Sequence, residues 1–415
     1  ETMLTRWRAD ATLDEWGCWL YVQDMARDQL WSAGVQPTGV WPDHHEALYW
    51  PHMVEYLRRD HGITLRMAIT VPPDETVEVR RVSLTNDSDQ PRRLRVTSYG
   101  EVVLGPGGAD LRHPAFGKLF VESDYVADLN ALIFRRRPRS ATEAPQFLAH
   151  ALVLEGDQPL TRAYESDRAR FLGRGGSARR PAALATHASA EQPWLSGTTG
   201  ATLDPIMALG QEVELPPHST VQLALLTVTA ENRQTLVAQV ERYHNWSTIE
   251  RAFLRARNVA EQEMRQLGIT TRQLEHMQQL LSLLFYPHQA LRSEPATLAA
   301  NQKNQSGLWA FGISGDYPIL LVEVDNEEQG EVVLEVLQAH HYWRRRGLQI
   351  DLVILNQEET NYGQALHGYI HRLIERLDSA DRINQRGGIF ILREDQLAEA
   401  DRILLRTTAQ VTLDG

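Results

Sequence analysis

The hydrophobic period of this chain changes twice, and that change limits the folds open to it. Up to about residue 230 the chain reads as short strands between turn signals, then as helices, and after residue 318 as alternating strand and helix. No single sheet or helical bundle has that order. The joint is Gln305-Ser-Gly-Leu-Trp309 with Gly312-Ile-Ser-Gly-Asp316, which leads into the apolar run Ile319-Leu-Leu-Val322. Gly312 and Gly315 bracket Ser314, so the backbone there takes positive φ or approaches another segment closely.

In the first part, Trp19-Leu-Tyr-Val22, Val54-Glu-Tyr-Leu57, Ile63-Thr-Leu-Arg-Met-Ala-Ile69, Val77-Glu-Val-Arg-Arg-Val-Ser-Leu84 and Leu94-Arg-Val-Thr-Ser-Tyr99 recur at the spacing of a large antiparallel β-sandwich. The apolar parity shifts across Arg80-Arg81, which predicts a β-bulge. The run from His113 to Glu122 reads as a loop entering a strand. Ser247-Thr-Ile-Glu250 and Thr270-x-x-Gln273 are capping-box patterns opening two amphipathic helices, a linker over residues 246–304. Strands at 319–324, 350–355, 389–392 and 411–413 then alternate with helices at 329–345, 363–377 and 397–405. This order predicts a small α/β domain, residues 305–415, on a mostly parallel sheet. Asp325-Asn-Glu-Glu328 stands where a phosphate loop would need glycines, which excludes a dinucleotide site. The fold class expected is multi-domain α+β.

The chain's 415 residues allow two or three domains. A net charge of −12 disfavours a grip on nucleic acid or anionic lipid, and no apolar run approaches the roughly 20 residues that span a bilayer, so neither partner is expected. Cys18 is the one cysteine, which leaves no disulfide framework and no cysteine zinc site. No cofactor or metal is expected. No leader pattern opens the chain, and both ends read as cuts in a longer protein. Lys118 and Lys303 are the only lysines among 42 basic residues, a bias that reflects either genomic composition or planar recognition of oxygen-rich partners.

Six of the ten tryptophans fall in the first fifty residues, marking a β-rich core or a sugar-stacking surface. Arg135-Arg-Arg-Pro-Arg139 reads as a solvated hairpin end rather than a phosphate clamp. Phe171-Leu-Gly-Arg-Gly-Gly176 is a glycine turn, or an anion cradle built from backbone N–H groups and Arg174. Gly312-Ile-Ser-Gly-Asp316 departs from the G-x-S-x-G elbow and precedes a strand, so Ser314 is not a lipase-type nucleophile. Ser314 and Asp316 hydrogen-bond their own turn, or Asp316 serves as an acid. His367 and His371 have i,i+4 spacing but no third ligand nearby, and Glu358 and Glu359 stand where they would cap that helix.

Many stretches, in order, resemble the cyclic β-1,2-glucan synthase family, in its C-terminal region related to glycoside hydrolase family 94. They include Thr5-Arg-Trp-Arg8, Asp14-Glu-Trp-Gly17, His113-Pro-Ala-Phe116, Leu119-Phe-Val-Glu122, Asp167-Arg-Ala-Arg-Phe-Leu-Gly-Arg174, Ser196-Gly-Thr-Thr-Gly200, Gly312-Ile-Ser-Gly-Asp316 and Asp351-Leu-Val-Ile-Leu-Asn356. The resemblance implies that residues 1–245 form a phosphorylase-type β-supersandwich. It also implies a parent protein whose glycosyltransferase builds β-1,2-glucan and whose (α/α)6 barrel trims it by phosphorolysis, on the cytoplasmic face of the bacterial inner membrane. No helical run here is long enough to be that barrel. The expected role is therefore non-catalytic: shaping the sugar site of the barrel and contacting β-1,2-glucan or a related glucoside. The alternative is a glycoside phosphorylase, active alone or completed by a partner chain. The candidate carbohydrate contacts are Trp309, Ser314, Asp316, Arg170 and Arg174; no catalytic residue is assigned.

Overall fold

The computed structural model describes residues 2–8, 12, 14, 16–140, 143–185, 194–358 and 365–415; Glu15, Glu359 and the start of the 363–377 helix lie outside them. The chain divides into two compact units, Glu1–Ala260 and Glu261–Gly415. The helix Trp246–Leu267 carries residues of both.

Unit 1 is two stacked antiparallel sheets. The smaller runs Ala163–Asp167, Pro205–Leu215, Arg92–Gly105, Cys18–Asp24, Gln29–Ser32, with Met3–Thr5 also paired to Arg92–Gly105. The larger, of nine strands, runs from Gly200–Ala201 through Val121–Val126, Ala131–Arg136, Gln146–Leu154, Thr220–Ala230, Val77–Asn86, Ile63–Thr70 and Val54–Asp60 to His44–Tyr49. Leu20, Val22 and Trp31 from one sheet and Leu65, Leu84 and Phe134 from the other fill the space between them. Helix Arg233–Tyr243 and the start of Trp246–Leu267 cover the back of the larger sheet. The back of the smaller sheet is covered by helix Arg168–Leu172 and the residues near Leu184 and Trp194.

This layering overturns the expected bulge. Val77–Asn86 pairs without a register shift to both neighbours. Val77 and Val79 face the helices, while Val82 and Leu84 face the other sheet. Both faces are buried, so the apolar parity switches while the backbone stays regular. Three further expectations change. The segment at His113 forms two short helices, Gly107–Arg112 and Pro114–Lys118, with Pro114 at a first-turn position where its missing N–H costs nothing. Asn245 rather than Ser247 caps the long helix, its Oδ1 accepting from the Ser247 amide at 3.0 Å. Arg136 is buried rather than solvated.

Unit 2 holds a four-stranded parallel sheet in the order Ile389–Arg393, Asp351–Asn356, Ile319–Val324, Val411–Asp414. Helices Thr271–Phe285, Gly330–Arg345 and Ala365–Arg376 pack with Leu320 and Val322, while Ile319 and Leu321 pack with Leu308 and helix Glu399–Thr408. Burial on both faces accounts for the unbroken apolar strands. The capping box at Thr270 and Gln273 is formed.

A polar contact crosses the sandwich core. His150, 4% exposed, meets Ser98 Oγ of the opposite sheet at 2.8 Å. Burial, helped by the charge of Arg80, pulls this imidazole from its ordinary 6.5 to about 3. A depressed histidine is neutral in the folded state and charged once unfolded below pH 6.5, so the unfolded chain binds the extra proton. Stability is then complete above about pH 6.5 and falls as pH drops towards 3, at roughly 1.4 kcal/mol per pH unit. Urea unfolding across that window should show a steeper slope in the parent chain than in His150→Gln; parallel curves would refute the assignment.

Candidate functional site

The back of the smaller sheet carries a concavity of about 320 Å³, lined by Trp16, Trp19, Tyr99, Arg6, Glu101, Arg168 and Arg179 together with the backbone at Gly17 and 176–178. Tyr99 and Glu101 are two apart on Arg92–Gly105 and therefore point to the same face. Glu101 is clamped from two sides. Arg6 Nη1 donates to Oε2 at 2.5 Å, and Arg168 Nε donates to Oε1 at 2.9 Å. The Tyr99 hydroxyl donates to Oε1 at 3.3 Å. Arg6 in turn makes a bidentate bond to Asp110, at 3.1 and 2.7 Å, and Arg8 binds the same carboxylate. Burial, then the charge of Glu101, raises the Tyr99 phenol far above its ordinary value, so it stays a donor. Burial pushes the Asp110 carboxyl up, but the Arg6 and Arg8 guanidinium groups outweigh burial and hold its pKa below the ordinary value.

Local sequence explains the placement of Arg168. Asp167 caps its helix through a 2.8 Å bond from the Ala169 amide. Phe171 then anchors the segment with its ring 5.1 Å from Tyr99 and 6.1 Å from Tyr21. Arg170 and Arg174 lie on the exposed side of the same segment and do not line the concavity. The Gly176 amide is spent in a turn on the Gly173 carbonyl at 3.2 Å.

In unit 2, Trp309, Ser314 and Asp316 do come together. Gly312 and Gly315 both take left-handed φ, near 76° and 75°. The Trp309 indole and Gln305 Nε2 donate to the Ser314 carbonyl at 3.4 and 2.9 Å, and Ser314 Oγ accepts from the Asp316 amide at 3.2 Å. Both Asp316 oxygens are engaged, by Gln305 at 3.3 Å and Arg386 at 2.9 Å. Trp309 is 65% exposed.

The sequence reading did not assign Tyr99, Glu101, Arg6, Arg168 or Arg179 to a site. Arg6 and Arg168 lie within stretches that carried the family resemblance, and Trp16 and Trp19 within the tryptophan-rich start. Nothing local marks Tyr99 and Glu101, which resemble any alternating strand residues.

Residues 1–246 match the family model of the glycosyl hydrolase 94 supersandwich domain. The chain belongs to that family. Over 374 residues, 90% of this chain and 13% of the relative, it is 30% identical to the cyclic β-(1,2)-glucan synthase NdvB of Rhizobium meliloti (strain 1021). Over 100 residues, 24% of this chain and 12% of the relative, it is 29% identical to an N,N'-diacetylchitobiose phosphorylase of Vibrio furnissii. The chain thus matches about an eighth of the length of these curated relatives. A bacterial glucoamylase complexed with acarbose aligns with 58% of this chain and 30% of its own at 6% identity and a TM-score of 0.33, too weak a likeness to carry an argument.

The concavity combines apolar ring faces with charged donors. Half-buried indole faces and forked donors suit a pyranose and its hydroxyls. Glu101 is the one carboxylate among the described lining residues, so that lining does not supply the carboxylate pair of glycoside hydrolysis. The clamp also holds the wall together. Glu101→Ala leaves the buried Arg6 without one of its partners and should cost roughly 3 kcal/mol, read as a lower urea midpoint at constant slope. An unchanged midpoint would show that the wall stands without it.

Proposed function

We propose that this chain is a non-catalytic, carbohydrate-contacting part of a cyclic β-1,2-glucan synthase-like protein. In this reading it supports and shapes the sugar site of a phosphorylase-like (α/α)6 barrel on the cytoplasmic side of the bacterial inner membrane, and the glycosyltransferase belongs to the same parent. The observation that carries the proposal is the concavity in which Trp16 and Trp19 stand beside the Arg6–Glu101–Arg168 clamp. The 30% identity to a cyclic β-(1,2)-glucan synthase supports glucan as the ligand class. Trp309, Ser314 and Asp316 are proposed as a second contact in unit 2, and Arg170 and Arg174 as exposed contacts beside the concavity.

Titration with β-1,2-glucooligosaccharides, followed by calorimetry and tryptophan fluorescence, should give saturable binding. Trp16→Ala or Trp19→Ala should weaken it roughly 3- to 10-fold, the cost of one lost stacking face. Trp309→Ala tests the second contact separately. Absence of any saturable signal would sink the proposal.

A second reading, phosphorolysis by this chain, is favoured by its 29% identity over 100 residues to a disaccharide phosphorylase. Incubation with glucan and inorganic phosphate should yield no glucose 1-phosphate. Steady phosphate-dependent release would replace the non-catalytic reading with the enzymatic one.

A further inference from the structure

Helices Gly107–Arg112 and Pro114–Lys118 fold over the end of strand Ala131–Arg136 and leave a second concavity of about 230 Å³ in unit 1. Arg112, Lys118, Arg136 and Arg139 line it, with His113 beside them. The one lining carboxylate, Asp110, is already neutralised by Arg6 and Arg8. Lys118 is paired with Asp204, and Arg136 and Arg139 share Glu143, so the four cations keep an excess of two positive charges in a chain of net charge −12.

Arg136 is the unusual member. It is 4% exposed, and its Nη1 donates to the Gly117 carbonyl at 3.0 Å. Its Nε–H has no acceptor among the described residues, and Glu143 stands 3.6 Å away, an ion pair but not a hydrogen bond. Gly105 makes room for it, since a Cβ there would sit 3.4 Å from the guanidinium carbon. Burial, reinforced by Arg139 and only partly offset by Glu143, pulls this guanidinium below its ordinary value. A buried cation so under-neutralised is costly unless a further anion is supplied.

We propose that this concavity binds a doubly charged phosphoryl oxyanion, either inorganic phosphate or the phosphoryl group of a sugar phosphate. Guanidinium forks match phosphoryl oxygens in pairs, and the local excess of positive charge suits a dianion better than a single carboxylate. Phe116, 52% exposed on the rim, presents an apolar face to a sugar attached to that group. Its lining shares no residue with the tryptophan-lined concavity, although Asp110 of one is bonded to Arg6 of the other.

Calorimetry at constant ionic strength, with inorganic phosphate and with glucose 6-phosphate, tests this directly. Both should bind saturably, and Arg112→Ala combined with Arg139→Ala should weaken binding at least about tenfold. These rim positions are chosen because Arg136→Met, the more direct variant, removes a buried side chain and can fail to fold. Phosphate binding at least as tight as that of the ester assigns inorganic phosphate as the occupant. Tighter binding of glucose 6-phosphate, with the advantage lost in Phe116→Ala, assigns the ester. No saturable heat with either ligand, or heat unchanged in the double variant, overturns the site.

Discussion

A chain of charges, Arg168–Glu101–Arg6–Asp110–Arg8, whose three central members are buried, ties together four pieces of unit 1 drawn from three regions of the sequence. It joins the first strand and its continuation, the long strand Arg92–Gly105, the helix Gly107–Arg112 and the helix Arg168–Leu172. Burying any one of these charges alone would be costly, since an unpaired buried ion forfeits its hydration. Alternating signs make each residue the counterion of the next. The arrangement therefore holds as a set or not at all. The walls of both concavities are built from its members: Arg6, Glu101 and Arg168 in one, Asp110 in the other.

The architecture was legible because it follows from periodicity. Strand spacing up to residue 230 and the strand–helix alternation after residue 318 are read from local pattern, and the sandwich and the parallel sheet follow. The parity of Val77–Asn86 shows where such reading fails. A period-2 pattern that slips is read as a bulge when one face is assumed to be wet. Here helices cover the second face, so Val79 and Val82 are both buried without an extra residue. Local pattern does not report what covers the outer side of a sheet.

The candidate site was less legible for a related reason. Arg170 and Arg174 were drawn from the segment that also carries Arg168, but which arginine of that segment faces inward is set by the cap at Asp167 and the seating of Phe171 between Tyr21 and Tyr99. The cap is local, but the seating depends on two strands, about 70 and 150 residues earlier in the chain. Arg136 was read as solvated because arginine in a run of arginines usually is. Its burial comes from the helical hairpin that folds over it, which the His113-Pro-Ala-Phe116 stretch alone does not reveal.

The two places where aromatic and charged side chains gather differ in how much bonding capacity they leave for a ligand. In unit 2 the turn at Ser314 precedes strand Ile319–Val324 and so lies at the amino end of a parallel strand, whereas open α/β sheets bind ligands beyond the carboxyl ends. The carboxylate of Asp316 is shared between Gln305 and Arg386, which leaves the exposed Trp309 ring as the main free surface. In unit 1 Glu101 and the Tyr99 hydroxyl are likewise engaged, by Arg6 and Arg168, but the indoles of Trp16 and Trp19 and the guanidinium groups of Arg6, Arg168 and Arg179 meet in one walled concavity. A pyranose needs an apolar face and oriented polar groups within the span of a single ring. Unit 1 supplies both in one place, while the unit 2 turn supplies chiefly the apolar face. The proposed glucan contact is therefore better centred on the supersandwich than on the turn that carries Trp309.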